Sequence, residues 1–219
     1  MNAPTRKISE TAVRRLSLYL RTLEQLRGEG ASTVSSRELA LRAGTTGAQV
    51  RKDLSHFGSF GKRGLGYAVV PLRESLRKIL GLSRVWRVGL VGAGRIGSAL
   101  FEYPNFRERG FDIVTVLDRD PAKVGRSWNG VRIQDAADLE TILREDGVEV
   151  VVLAVPARAA QGVADRVVEA GIRGILNFAP APLRVPEGVV VNHVDLAVEL
   201  EMVSFGLRGG SGSGGEEGG

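Results

Sequence analysis

Residues 86–118 constrain the fold of this 219-residue chain more than any other stretch. Residues 87–91 form a short apolar run, Gly92-Ala93-Gly94-Arg95-Ile96-Gly97 follows at once, residues 98–103 continue as a helix, and 111–117 are a second apolar run ending on Asp118. Strand, glycine turn, helix, strand and acid in that order make a βαβ unit carrying G-x-G-x-x-G, with a carboxylate about 20 residues downstream. Gly92 permits the tight turn. Gly94 removes the Cβ that would hold the backbone off a pyrophosphate, and Gly97 lets helix and strand pack closely. The helix N-terminus offers N–H groups to phosphate. Asp118 is placed to accept from the adenosine ribose hydroxyls. With Asp120 it repels a 2′-phosphate, which favours NAD+ and NADH over their phosphorylated forms; Arg119 works against that preference.

Beyond Asp118 the pattern repeats, with strands at 131–134, 148–155, 172–178 and 188–192 and helices at 136–145 and 157–170. Strands alternating with helices predict an α/β fold with a parallel sheet covered on both faces. Ligands on such sheets lie at the carboxyl ends of the strands, so Val155, Pro156, Asn177 and Phe178 are expected to line the nicotinamide half of the site. As ordinary strand-end loops they would have no such role.

The charge is divided at the motif. Residues 1–87 hold 17 Lys and Arg against 6 Asp and Glu, and residues 88–219 hold 13 against 19, so a net +11 is joined to a net −6. Segregation on this scale points the basic part at a polyanion, with nucleic acid the leading candidate and a solvated basic surface the plain alternative. No apolar run is long enough to cross a bilayer and the N-terminus has no signal-peptide core, so a cytoplasmic protein is expected. The absence of cysteine excludes disulfides and thiolate metal sites; no metal is expected, and any response to redox state must come through a bound ligand.

Within the basic part, residues 1–7 read as a mobile arm, and Ser9 caps a helix to about residue 27 with Val13, Leu16, Leu20, Leu23 and Leu26 on one buried face. Ser35-Ser36-Arg37-Glu38 is a capping box in which Ser35 and Glu38 satisfy each other's backbone donors, opening a helix to about residue 43. Gly44 breaks it, and a third helix is expected over residues 47–57. Two short helices joined by a glycine-containing turn suit a helix-turn-helix. On the third helix Val50, Leu54 and Phe57 face inward, while Ala48, Lys52 and Ser55, flanked by Gln49, Arg51 and His56, make an exposed face suited to a major-groove floor. Residues 58–67 read as a two-stranded hairpin with a cationic tip at Lys62, Arg63 and Gly64, that is, a wing. Pro71 opens a further helix to about residue 80 with Leu72, Leu76 and Ile79 inward.

Asp195 caps a last helix to about residue 206. Leu196, Val198, Leu200, Met202, Val203 and Phe205 leave it apolar on more than one face, the pattern of a helix buried all round. At the end of a chain it has little of its own domain to cover it. A homodimer with this helix inserted into, or swapped with, the partner is therefore expected. The domain reading is a winged-helix DNA-binding domain at 1–80, a linker at 81–85, a Rossmann-type NAD(H)-binding domain at 86–193, a dimerisation helix at 194–207 and a disordered glycine-rich tail at 208–219.

In Gln-Val-Arg-Lys-Asp-Leu-Ser at 49–55, Phe-Gly-Lys-Arg-Gly-Leu-Gly-Tyr at 60–67 and Val-Gly-Ala-Gly-Arg-Ile-Gly at 91–97, the chain resembles the Rex family of bacterial redox-sensing repressors, and the likeness runs from about residue 11 to 207. The resemblance implies a homodimer that binds an inverted-repeat operator as double-stranded DNA and releases it when NADH displaces NAD+. It makes Lys52 the main base-reading residue, and Arg63 with Gly64 the minor-groove tip of the wing. Tyr103 becomes the tyrosine near the nicotinamide, with Asp195 and Arg21 as switching partners, the carboxylate pairing with Tyr103 in one state and Arg21 in the other. Two other functions compete. An NAD-dependent dehydrogenase with an appended basic domain needs a positioned acid or base; the chain has only two histidines, His56 and His193, and little length left for a substrate domain. A nucleotide-sensing assembly protein without DNA binding does not account for the wing or the charge split.

Overall fold

The computed structural model describes residues 8–62 and 64–209. The basic arm expected at 1–7, Arg63 and the tail beyond 209 lie outside the described residues. The chain divides into two compact units, Met1–Arg84 and Val85–Gly219.

The first unit opens with α1 (Glu10–Gly28), started by Ser9, whose hydroxyl accepts from the Ala12 N–H. Leu16, Leu20, Leu23 and Leu26 are buried as the stripe predicts, but Val13 is exposed and Tyr19 is fully buried. Positions 16, 19, 20, 23 and 26 are one i, i+3, i+4, i+7 row, and Val13 lies one turn before its packed part. β1 (Thr33–Val34) precedes α2 (Ser36–Ala43). Ser35 accepts from the Glu38 N–H at 3.0 Å, yet the reciprocal half of the expected capping box is absent, because the Glu38 carboxylate turns to Arg42, one turn along. Gly44 ends the helix in the left-handed region. α3 (Gly47–Ser55), capped by Thr46, stops two residues short of expectation: the Ser55 hydroxyl and the His56 ring both bond the Lys52 carbonyl at 2.7 Å.

The wing holds one strand more than predicted. β2 (Gly61–Lys62) and β3 (Gly66–Ala68) form the hairpin, and β1 joins the other edge of β3. Two residues are too few to show a period, so β1 is silent in the sequence. α4 (Val69–Ile79) begins two residues before Pro71, which its first turn tolerates because that turn needs no N–H donors there. Val69, Leu72 and Leu76 are buried, and Ile79 is only partly so.

The second unit is a seven-stranded sheet. In chain order it comprises β4 (Trp86–Val91), α5 (Arg95–Phe101), α6 (Pro104–Glu108), β5 (Phe111–Asp118), β6 (Ser127–Trp128), β7 (Val131–Asp135), α7 (Leu139–Glu145), β8 (Val150–Leu153), α8 (Ala157–Glu169), β9 (Gly174–Asn177), β10 (Val190–His193) and α9 (Leu196–Gly209). The spatial order is β10-β9-β8-β4-β5-β7-β6, parallel throughout except for the short edge strand β6, which the sequence reading missed. Alternation along the strands feeds two cores. Val91, Leu117, Val151 and Leu153 pack with α7 and α8, while Val88, Leu90, Val116 and Val152 pack on the other face with Leu100 and Phe101 of α5.

The helix expected to run on to Tyr103 breaks after Phe101, since Pro104 cannot continue an α-helix. A 3-10 turn over Ala136–Asp138 likewise replaces the first part of the helix expected at 136–145.

Candidate functional site

The chain passes from β4 outward to β5 and β7, then returns to the other side of β4 as β8. The loops after β4 and β8 therefore leave in opposite directions, and the crevice between them is where an open α/β sheet takes its ligand. Gly92 has a φ of 108° and donates its N–H to the Leu117 carbonyl at 2.8 Å. A Cβ there would fall 2.4 Å from the Ala154 carbonyl oxygen, so the two loops touch through it. At Gly97 a Cβ would lie 1.9 Å from the Gly92 carbonyl oxygen, which fixes how closely α5 approaches the turn. Gly94 differs: its backbone is ordinary extended chain, and a Cβ would meet nothing within 4 Å. Its lack of a side chain is not required by the protein itself, and the space beside it is open to a ligand. Arg95 and Ile96 are exposed in the first turn of α5, whose earliest N–H groups have no partner inside the helix.

Asp118 is 8% exposed at the end of β5. One carboxylate oxygen accepts from the Ala93 N–H at 2.7 Å and the Lys123 ammonium at 3.1 Å; the other accepts from the Asp120 N–H at 2.8 Å. Burial pushes this carboxyl up, but the Asp120 N–H, Lys123 and the Ala93 N–H together hold it below its ordinary value. It is therefore an anion clasped to the glycine turn, with part of its acceptor capacity left for ribose hydroxyls. Lys123 was missed by sequence reasoning. It stands 3.1 Å from Asp118 and 3.7 Å from Asp120, so the two acids do not present bare negative charge, and repulsion alone is a weaker barrier to a 2′-phosphate than the sequence suggests.

At the other strand ends Val155 is half-buried, with its side chain close to Gly92, and Pro156 is exposed as the residue preceding α8. Asn177 has a role other than open lining. Asn177 is fully buried, and its amide is taken up by its own neighbourhood: the nitrogen donates to the Ala181 carbonyl at 2.9 Å and meets the His193 Nδ1 at 3.0 Å, while the oxygen accepts from the Ala179 N–H. It shapes the loop after β9. Phe178 is half-buried and packs against the core of Val88, Leu90 and Val152. Tyr103, 48% exposed, stands at the break between α5 and α6, where its hydroxyl accepts from the Asn105 amide at 2.7 Å and its ring meets Phe106 edge-on. Asp195 caps α9 through the Ala197 N–H at 2.9 Å. Among the described residues no hydrogen bond joins Tyr103 to Asp195, and Arg21 is exposed on α1.

On the first unit α3 presents Arg51, Lys52, Ser55 and His56 to solvent. Arg51 reaches back to the Ser36 hydroxyl at 2.9 Å, and Ser55 and His56 are tied to the Lys52 carbonyl, so Arg51 and Lys52 are the exposed cations of the face. Gln49 is half-buried and donates to Asp53 at 2.7 Å. An open groove of about 510 Å³ separates α3 from the wing, lined by Ser36, Arg51, Ser55, Phe60, Gly61 and Gly64 among others. Asp53, on the same helix, is a second residue the sequence reading missed: it is 3% exposed and held by Arg15 and Tyr19 of α1.

Two family models match, a CoA binding domain over residues 83–181 and a putative DNA-binding protein N-terminus over residues 7–55. The redox-sensing transcriptional repressor Rex of Carboxydothermus hydrogenoformans is 51% identical over 202 residues, covering 92% of this chain and 97% of the relative. That of Streptomyces coelicolor is 47% identical, covering 92% of this chain and 78% of the relative. The crystal structure of RSP in complex with β-NAD+ and operator DNA matches with a TM-score of 0.88 at 36% identity, over 94% of this chain and 95% of RSP. RSP in complex with β-NADH matches at 0.85 and 35% identity, over 94% and 97%. A winged helix followed by a parallel nucleotide-binding sheet, matched to these proteins over nearly its whole length, places this chain in the Rex family of redox-sensing transcriptional repressors.

Proposed function

We propose that this protein is a DNA-binding repressor that reads the NADH/NAD+ ratio in the cytoplasm, holding an inverted-repeat operator with NAD+ bound and releasing it when NADH takes its place. The observation that carries the reading is Asp118 clasped to the Gly92–Gly94 turn in a chain whose relative RSP has been solved with β-NAD+ and operator DNA and with β-NADH. The turn and the first N–H groups of α5 receive the pyrophosphate, Asp118 receives the ribose, and Val155, Pro156 and Tyr103 stand on the nicotinamide side. On DNA, Lys52 reads base edges and Arg51 meets the backbone, while Lys62, Arg63 and Gly64 contribute further contacts to the duplex.

No catalytic role is assigned, because His56 is engaged with the Lys52 carbonyl and His193 with Asn177. The protein works as a homodimer. Among the described residues α9 is exposed along its whole length, from Leu196 at 64% to Phe205 at 80% and Leu207 at 72%, and such a helix is stable only when covered by a second copy. Asp195, at its start, is the carboxylate that exchanges between Tyr103 and Arg21 as the cofactor changes; a ligand shifts such an equilibrium only by its difference in affinity for the two states.

The test is titration of a labelled operator duplex with NAD+ or NADH present. Binding is expected with NAD+, falling steeply as salt rises because phosphate contacts displace counterions, and weakening with NADH. Equal binding with the two cofactors refutes the sensor reading.

A further inference from the structure

Asp53 is a carboxylate buried on the inner side of the helix whose outer side carries Lys52. Its four hydrogen bonds use both oxygens. Oδ2 accepts from the Arg15 Nε at 2.7 Å and the Tyr19 hydroxyl at 2.8 Å; Oδ1 accepts from the Arg15 Nη2 at 2.7 Å and the Gln49 Nε2 at 2.7 Å. The Arg15 fork sets the plane of the carboxylate, and an ionised carboxylate only accepts. Gln49 is therefore held in one sense. Turned over, its Oε1 would face Oδ1, two acceptors in contact. With Nε2 inward, Gln49 turns outward one acceptor, Oε1, and the one Nε2 hydrogen that Asp53 does not use.

Gln49 sits three residues before Lys52 and four before Asp53, so it bridges the buried cluster and the exposed face, at the N-terminal end of α3 where a recognition helix meets base edges. In the major groove adenine shows one donor, N6–H, beside one acceptor, N7; guanine shows two acceptors. An amide held with its acceptor and one donor outward fits the first and conflicts with the second.

We propose that Gln49 is a specificity-determining residue that selects adenine over guanine, and that Asp53, fixed by Arg15 and Tyr19, is the positioning residue that sets its amide. The inference rests on the reading of α3 as the DNA-reading helix. It predicts that the two residues act on the same base pair and as one unit.

The test uses the full chain with NAD+. Duplexes are selected by the unsubstituted protein from a randomised pool, then each half-site position is changed singly, and Gln49→Ala, Asp53→Asn and the double variant are compared. One A·T pair is expected where exchange for G·C weakens the unsubstituted protein about tenfold or more, and Gln49→Ala and Asp53→Asn should each reduce that penalty to about twofold. The double variant should reduce it no further. If Asp53→Asn weakens every duplex equally, or Gln49→Ala leaves every penalty in place, the inference is overturned. Should Asp53→Asn not fold, Arg15→Lys keeps the charge and removes the fork; it should lower the penalty at the same pair, and an unchanged penalty overturns the positioning role. If the unsubstituted protein selects no sequence at all, the DNA-reading assignment itself fails, a result distinct from specific binding with unaltered discrimination.

Discussion

Gly97 and Gly94 lie three residues apart in one motif, yet the structure assigns them opposite kinds of necessity, and exchanging each for alanine separates them. At Gly97 a methyl group would sit 1.9 Å from the Gly92 carbonyl oxygen, whereas ordinary contact begins near 3.4 Å, so roughly 1.5 Å of separation must be found. Gly92 has little freedom to give way: its N–H is bonded to Leu117, its φ is 108°, and a Cβ on it would fall 2.4 Å from the Ala154 carbonyl oxygen. α5 must move instead, carrying Leu100 and Phe101 off the core of Val88, Leu90 and Ile133. Overpacking of this kind costs about 1–3 kcal/mol. The same shift displaces the N–H groups that would meet the pyrophosphate, so Gly97→Ala should lose both stability and cofactor. At Gly94 the backbone suits any residue and a methyl group meets nothing, so stability should hold to within about 0.5 kcal/mol while NADH affinity falls about tenfold or more. Trp86 and Trp128, the two tryptophans, both lie in the second unit, so urea unfolding followed by their fluorescence reads this unit, and NADH fluorescence reads binding. A Gly97→Ala protein as stable as the original, or a Gly94→Ala protein that binds NADH unchanged, would refute the reasoning.

Three further outcomes follow from named contacts. Asp118→Asn places an amide nitrogen against the Ala93 or Asp120 N–H, leaving one buried donor unpaired at a cost of about 1–3 kcal/mol, together with weaker NADH binding; unaltered urea unfolding would show that the clasp is not needed. Burial raises the Asp53 carboxyl, yet Arg15, Tyr19 and Gln49 hold it below its ordinary value, so its contribution to stability is present above the unfolded pKa and lost as pH falls through the lower folded one. Protection of the α1 and α3 amides from exchange, taken relative to the intrinsic rate at each pH, should accordingly fall below about pH 4, and Asp53→Asn should remove that acid dependence; an identical acid limb in the variant would count against it. Truncation after His193 should give monomers by analytical ultracentrifugation, and a surviving dimer would refute assembly through α9.

What the sequence made legible follows its periods. The row through Leu16, Leu20, Leu23 and Leu26, the glycine spacing at 92, 94 and 97 and the alternation of strand and helix each repeat often enough to declare a face or a turn, and the structure places them accordingly. β1 and β6 have two residues each and no period to show. The helix expected to reach Tyr103 shows the opposite failure, a run of helix-compatible residues broken by the backbone chemistry of a single proline.

Partnerships between side chains were the larger gap. Asp53 looks in sequence like a solvated acid on a cationic helix, and only the fold brings Arg15, 38 residues away, to its two oxygens. Asn177 read as a group facing a ligand, but its amide turns inward to Ala179, Ala181 and His193, because a buried amide must satisfy both its donors and its acceptor. For α9 the apolar pattern asks for burial on every side, and one chain supplies it on none. The same rule governs all three: a buried polar group draws its partners from wherever the chain brings them, and an apolar helix left bare by its own chain calls for cover from elsewhere. The pH and discrimination tests on Asp53 probe the first half of that rule, and the truncation of α9 probes the second.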